Sequence, residues 1–456
     1  MRKIASTIAN MQQSARFQQF KNRLKGFWHQ SSAWILGPIC VGLIAVGLAC
    51  GSEWANNINQ SLVRAFPLAP LVFMPAGFAL LAYLGQRFVA GSQGSGIPQT
   101  IAAINTTNGD KTNHLLSIRI AIGKSLLMLG GLSIGASIGR EGPTVQIGAS
   151  IMNSFHGRWF LQGEKSRRNL ILAGAAAGIA AAFNAPLAGI MFAIEELNKK
   201  YTLSGNSKTL ATVILSGFIS LVLLGNYTYF GSTDVSLDWR TSAGAIILCS
   251  VIGGIAGGIF SRLMIATAFH MPKPVEAFIQ KRGLWFAAGC GLILAIIGLA
   301  TDGAIFGAGY HPTRMTLEST NALPWYFGIA KFTATLVSSA SGIAGGIFAP
   351  SLAVGAGIGD NLSTLLPNLA PHSAVVLLMM AAYLSAVTRD PMTSFVIMME
   401  MTGSHQMLLP LMTVSVAAST MSKFISPAPL YQKMSEKFMG LTEPTPTTPV
   451  RLTNAR

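Results

Sequence analysis

Long apolar stretches recur through the whole chain, and they restrict it to folds whose main solvent is lipid. They fall at 34–50, 71–84, 118–138, 170–194, 210–224, 243–264, 284–300, 327–340, 374–387 and 407–421. A helix needs about 20 apolar residues to cross about 30 Å of hydrocarbon, so several of these are short for a full crossing. Only 11% of the residues are charged, against about a quarter in an ordinary soluble domain, so water is not the main solvent. The 48 glycines and 21 prolines lie inside the apolar sequence rather than between soluble units. That distribution predicts broken or closely packed helices in an all-α, polytopic membrane protein.

A formal net charge of +16 raises nucleic acid as a partner, but the basic residues flank apolar spans and no basic-aromatic module accompanies them. Membrane orientation accounts for them. Arg2, Lys3, Arg16, Lys21, Arg23 and Lys25 precede the first span, and no acidic residue occurs before Glu53. The positive-inside rule therefore places the N-terminus in the cytoplasm. Arg158, Lys165, Arg167 and Arg168, then Lys199, Lys200 and Lys208, mark later cytoplasmic turns, and the C-terminus is expected on the same side. Residues 1–30 lack the layout of a cleaved signal peptide and are expected to stay as a cytoplasmic, interfacial helix. Cys40, Cys50, Cys249 and Cys290 have no paired or metal-like spacing, and the seven histidines are scattered. Neither a metal nor another cofactor is expected.

The chain repeats itself. Lys124 corresponds to Lys331 at an offset of 207 residues, and at that offset Gly135, Gly139, Pro143, Gly148 and Ala149 fall on Gly342, Gly346, Pro350, Gly355 and Ala356. Further on, 184–195 aligns with 389–400 at an offset of 205, matching Pro186 to Pro391 and Glu195 to Glu400. Two matches in order at nearly one offset indicate duplication, and such repeats surround a substrate site near the bilayer midplane. Small residues four apart serve helix packing. Packing does not ask for proline four residues after glycine, whereas a helix beginning inside the membrane does, because proline suits the first helical turn.

A buried helix N-terminus presents unpaired N–H groups and about half a positive charge, which suits an anion. Gly94-Ser-Gly-Ile-Pro98, Gly139-Arg-Glu-Gly-Pro143 and Gly345-Gly-Ile-Phe-Ala-Pro350 predict three such ends. Together they replace part of an anion's hydration shell without burying a lysine charge. Glu141 is the anomaly among them. A carboxylate in apolar sequence costs about 2.5–3.5 kcal/mol to insert unless satisfied, so it reads as functional. The alternative is an ordinary acidic cap on its own helix.

These segments resemble the signature motifs of the CLC chloride channels and proton/chloride exchangers: Gly94–Pro98, Gly139–Pro143 and Gly346-Ile-Phe-Ala-Pro350 in order, with Pro429-Leu-Tyr431 similar to a fourth. The resemblance covers about residues 30–438. It implies a homodimer with one pore per subunit and a CLC-type inverted-repeat bundle of tilted and broken helices. The single transport domain would span 31–440, with halves at about 31–230 and 240–440, and a disordered tail at 441–456.

Carried over by position, the resemblance assigns the hydroxyls of Ser95 and Tyr431 and the amides of Ile347 and Phe348 to a central anion. It makes Glu141 the gate, whose carboxylate competes with the anion until protonated, and Glu196 an inner proton-transfer group. Read without it, Ser95 is a turn residue, Tyr431 an interfacial anchor, and Glu196 a snorkelling partner of Lys199 and Lys200. Arg140, Glu195 and Glu400 resemble framework positions, and Lys124 and Lys331 orientation or packing residues. The expected function is chloride–proton antiport, with a passive chloride channel or a nitrate-preferring exchanger as alternatives.

The chain shows no hydrolase signature and is not expected to be an enzyme. About 25 residues follow Tyr431, so the CBS domains of eukaryotic members are not expected. A bacterial inner membrane is the expected location.

Overall fold

Backbone amides in lipid must find partners within the chain, so an apolar sequence that crosses a bilayer in pieces becomes helical. The computed structural model describes residues 2–106, 113–157, 163–197, 207–225, 228–233, 235–237, 239–318, 323–368 and 370–440. Side chains are described from residue 32 onward within these segments, apart from 113, 239–242 and 440. Eight helices form a first set: α1 (Arg2–Ala65), α2 (Pro70–Phe88), α3 (Ile97–Asn105), α4 (Ile118–Ser133), α5 (Glu141–Asn153), α6 (Glu164–Phe183), α7 (Pro186–Phe192) and α8 (Ser207–Leu224). A second set follows in the same order: α9 (Trp239–Phe269), α10 (Lys273–Ala300), α11 (Tyr310–Leu317), α12 (Phe327–Ala340), α13 (Phe348–Leu365), α14 (His372–Thr388), α15 (Pro391–Thr402) and α16 (Leu408–Ile425). A last helix, α17 (Leu430–Gly440), has no mate.

The repeat is also written in the backbone dihedrals. Left-handed residues stand at matching points of both sets: Gly94 and Gly307, Gly96 and Gly309, Gly135 and Gly342, Asn184 and Arg389. Gly96 and Gly309 open helices, Gly135, Gly342, Asn184 and Arg389 follow helix ends, and Gly94 and Gly307 lie in the loops between. At Asn184 (φ 55°) and Arg389 (φ 69°) the chain turns between α6 and α7 and between α14 and α15. The apolar stretch 170–194 is therefore two helices rather than one span, and 118–138 ends its helix at Ser133. Among the described residues, six helical segments are long and apolar enough to cross a membrane: Ser32–Ala65, Pro70–Phe88, Ser207–Leu224, Ala243–Phe269, Lys273–Ala300 and His405–Ile425.

Shorter helices begin or end inside this frame. Residues 374–388 of α14 are buried throughout, and so are 170–183 of α6. The outer face carries exposed apolar side chains such as Val72, Leu126 and Ile329, as a lipid-facing surface requires. Helix α5 lies against α6, and α13 against α14. The small residues read as packing positions do that work: a Cβ on Gly148 would lie 2.3 Å from the Gly174 carbonyl oxygen, and one on its mate Gly355 2.7 Å from the Met380 Cα.

Paired contacts tie the two sets together. Gly139 N donates to Gly346 O at 2.7 Å, and Gly346 N returns a bond to Gly139 O at 2.8 Å. Glu195 accepts from the Met392 and Thr393 amides at the start of α15, while Glu400 accepts from the Leu187 and Ala188 amides at the start of α7. Reciprocity between repeat mates is what a local two-fold produces. Lys124 donates to the carbonyls of Ser92 and Gly94 ahead of α3, and Lys331 to those of Ile305 and Gly307 ahead of α11. Both lysines thus orient the entry to a short helix.

The backbone of α1 runs unbroken from Arg2 into the first span. The side chains of the basic N-terminal residues, together with Arg158, Lys199, Lys200 and the tail 441–456, lie outside the described residues.

Candidate anion and proton site

Three glycine-rich loops meet at the centre and end in helix N-termini. Gly96 (φ 100°) precedes α3, Arg140 precedes α5, and Ile347 precedes α13. The loops are stitched to one another: Gly94 N donates to Ile343 O, Gly345 N to Gly94 O, and Gly139 and Gly346 exchange bonds. The expected three ends are therefore present and share one place.

Glu141 is the first residue of α5 and is fully buried. It does not cap its own helix. Its Oε2 accepts from the Ala349 amide in the first turn of α13 at 3.4 Å, and its Oε1 accepts from the Tyr310 hydroxyl. The ordinary-cap reading of Glu141 is thereby corrected, because the carboxylate crosses to the N-terminal field of a different helix. A fully buried carboxylate needs such donors, and here other elements fix them.

Ile347 and Phe348 are buried, and the leading N–H groups of α13 have no intrahelical acceptor by construction. Beside them, the Phe348 and Tyr431 rings stack with centroids 6.0 Å apart and planes 14° apart. The Tyr431 Oη and the Ser95 Oγ are both buried without a hydrogen-bond partner. Ser95 is close enough to act on Tyr431, yet neither oxygen completes a bond to the other. Two idle buried hydroxyls cost about 1–3 kcal/mol each unless something accepts from them. A Cβ on Gly142 would lie 2.2 Å from Ser95 Oγ, so glycine there admits the serine to the start of α5. Tyr431 is a core residue of the site rather than an interfacial anchor: 1% of it is exposed.

Glu196 lies in a π-turn, Ala193–Leu197, and is fully buried. Gln432 Nε2 donates to its backbone carbonyl at 3.0 Å and to its Oε1 at 3.4 Å. Lys199 and Lys200, its partners in the ion-pair reading, lie outside the described residues. Through the 431–432 step, Glu196 joins the helix that carries Tyr431, and Tyr431 lies in the field of both Glu196 and Glu141.

Two lysines, Lys124 and Lys331, are buried beside these loops and turned onto carbonyls, Lys124 onto that of Gly94 itself. Arg140 lies over the Tyr229 and Tyr310 rings, 4.5 and 5.5 Å from their centroids. Among the described residues no group of His, Cys, Asp and Glu could hold a metal ion.

The sequence reading missed Tyr310, Tyr229 and Gln432. A signal for Tyr310 existed. Gly307-Ala-Gly309-Tyr310 repeats Gly94-Ser-Gly96-Ile97, and extending the internal repeat backward marks Tyr310 as the first residue of a short central helix.

Residues 76–423 match the sequence profile of a family described as voltage gated chloride channel. The chain is 30% identical over 410 residues to the H(+)/Cl(−) exchange transporter ClcA of Salmonella paratyphi A, covering 86% of this chain and 84% of that protein. The protein of the same description from Salmonella typhimurium matches at the same identity and coverage. Among solved structures, a slow cyanobacterial Cl−/H+ antiporter superposes with a TM-score of 0.75 at 25% identity, covering 90% of this chain and 97% of that one. A CLC-type fluoride/proton antiporter shares the fold with a TM-score of 0.73 at 23% identity, over 88% of this chain and 98% of that one.

Proposed function

The chain belongs to the voltage-gated chloride channel family, and on that premise we propose that Ser95, Tyr431 and the first turn of α13 carry chloride while Glu141 and Glu196 carry the opposing proton. It is a proton-coupled chloride antiporter, as its ClcA relatives are named. The observation that carries the site assignment is the Glu141 carboxylate resting on the Ala349 amide of α13. An anion and a carboxylate cannot both hold that helix end. When ionised, Glu141 occupies the positive field; when protonated, it loses its charge and its claim, and chloride takes the amides of Ile347 and Phe348 with hydroxyl bonds from Ser95 and Tyr431. Weak, shared coordination lets the anion leave again.

Glu196 passes the proton at the other end. It is buried beside Gln432, one residue from Tyr431, and so stands next to the anion route without lying in it. Two carboxylates joined through the field of one tyrosine supply separate proton and anion paths that meet only at Glu141. The active form is a homodimer in lipid, with a complete route in each subunit, in a bacterial inner membrane with both termini cytoplasmic.

Paired flux measurements on purified protein in liposomes test this. An outward chloride gradient should drive protons inward, against a proton gradient if one is imposed. Chloride flux at low leak with no pH change would reduce the protein to a passive channel.

A further inference from the structure

Glu141 is held by two donors, and only one belongs to the helix that binds the anion. The other, the Tyr310 hydroxyl, donates to Oε1 from the first residue of α11. Several features fix it there. Lys331 grips the carbonyls of Ile305 and Gly307, the chain turns at Gly309 (φ 87°), and α11 starts with Tyr310 aimed at α5. A side chain at Gly309 would bring a Cβ 2.6 Å from that of Ala353, so the turn is pressed against α13. The Tyr310 ring lies 5.5 Å from the Tyr229 ring and 5.4 Å from that of Phe230, with the Arg140 guanidinium above it.

We propose that Tyr310 is the latch of the gate: a positioning residue whose hydroxyl holds the ionised Glu141 carboxylate over the first turn of α13 and so sets how much acid releases it. The proposal rests on Glu141 being the gate. A hydroxyl donor bonds a carboxylate more strongly than a neutral carboxyl group, so the latch grips the ionised form and slackens on protonation. Other charged or titratable groups surround the pair. Arg140 precedes Glu141, Tyr229 packs on the Tyr310 ring, and Tyr431 feels Glu141 from α17. Lys124 on α4 and Lys331 on α12 are spent on carbonyls, and His311 on α11 is exposed. Within this surrounding, Tyr310 donates its hydroxyl to the Glu141 carboxylate.

Tyr310→Phe keeps the ring and its packing and removes the hydroxyl. Chloride flux through reconstituted Tyr310→Phe should rise several-fold at neutral pH, and its acid-activated limb should move about one unit toward higher pH. In a Glu141→Gln background the same substitution should change neither. Tyr310→Leu, which also lacks the hydroxyl, should shift the limb in the same direction and serves if the Phe variant does not reconstitute. An unmoved pH profile in Tyr310→Phe or Tyr310→Leu, or an equal change in both backgrounds, overturns the latch. Coupled proton transport by Glu141→Gln alone would instead overturn the gate beneath it, so the two failures are separable.

Discussion

At the scale of single residues, the proposed function divides the site into groups that hold the anion and groups that move the proton, and substitution should separate them. Glu141→Gln preserves shape and removes the titratable charge, so anion flux should persist, lose its pH dependence and carry no protons. Glu196→Gln removes the inner carboxylate alone. Proton flux should fall at least about tenfold while the pH dependence of chloride flux stays, since the Glu141 carboxylate is left in place. Both follow from parallel pH and chloride electrode traces, and proton pumping by either variant at the normal rate contradicts its role. Ser95→Pro deletes a hydroxyl that has no protein partner, so it should weaken chloride relative to nitrate by about 1 kcal/mol, roughly fivefold in relative permeation. Unchanged relative permeation removes Ser95 from the site. Glu141 was legible in the sequence because a lone carboxylate between glycines in apolar sequence is expensive. Ser95 and Tyr431 were legible only through the resemblance, as a Gly-Ser-Gly turn and a tyrosine near a final span each have commoner uses. The repeat marks Tyr310 as a helix start, but its bond to a partner 169 residues away is encoded in no local pattern.

Elements were read well where chain chemistry marks their starts and poorly where conformation alone ends them. Pro98, Pro143 and Pro350 announced helices whose starts are buried, and α3, α5 and α13 begin with the buried Ile97, Glu141 and Phe348. Hydropathy joined α6 to α7 because a left-handed asparagine does not interrupt an apolar profile, and the corresponding left-handed Arg389 is a type rarely found there. The helix ends at the site are held by contacts that admit no side chain. A Cβ on Gly346 would stand 3.0 Å from Gly142 N, 3.1 Å from Pro143 Cδ and 3.2 Å from Gly139 O. Its neighbours are backbone or ring atoms with no rotamer to yield. Gly346→Ala should therefore cost about 1–3 kcal/mol of stability and also lower chloride affinity, because the N-termini of α5 and α13 must separate. Thermal unfolding in detergent and chloride titration calorimetry measure the two effects. A variant with a normal melting temperature and normal chloride affinity would show that the helix ends are not set by this contact.

At the scale of the whole molecule, the two halves are related by reciprocal contacts, and the duplication seen in the sequence marked Glu195 and Glu400 as framework mates. The sequence could pair them as mates but could not say that each would reach the other's neighbourhood, since that depends on how the halves face. In the structure Glu195 holds the start of α15, two amides and the Thr393 hydroxyl, while Glu400 holds the start of α7 through two amides. Each carboxylate thus complements the positive end of a helix from the opposite half. Charge-assisted bonds of this kind contribute about 1.5–3 kcal/mol, reduced where water or lipid headgroups reach them, and Leu187 and Met392 beside them are about half exposed. Glu195→Gln and Glu400→Gln should each destabilise the protein by about 1–2 kcal/mol, the Glu195 variant by slightly more because of its third donor. The donors named for the two residues belong to α15 and α7 and not to the anion loops, so the chloride-to-proton ratio of the folded, reconstituted variants should equal that of the wild type. The double variant should lose about the sum of the two, because the clamps engage separate helix ends and share no atoms. Thermal melts and paired flux ratios on the same preparations decide it. A changed exchange ratio in either variant would mean that the clamp transmits to the proton path, and a strongly non-additive double variant would mean that the two contacts act as one.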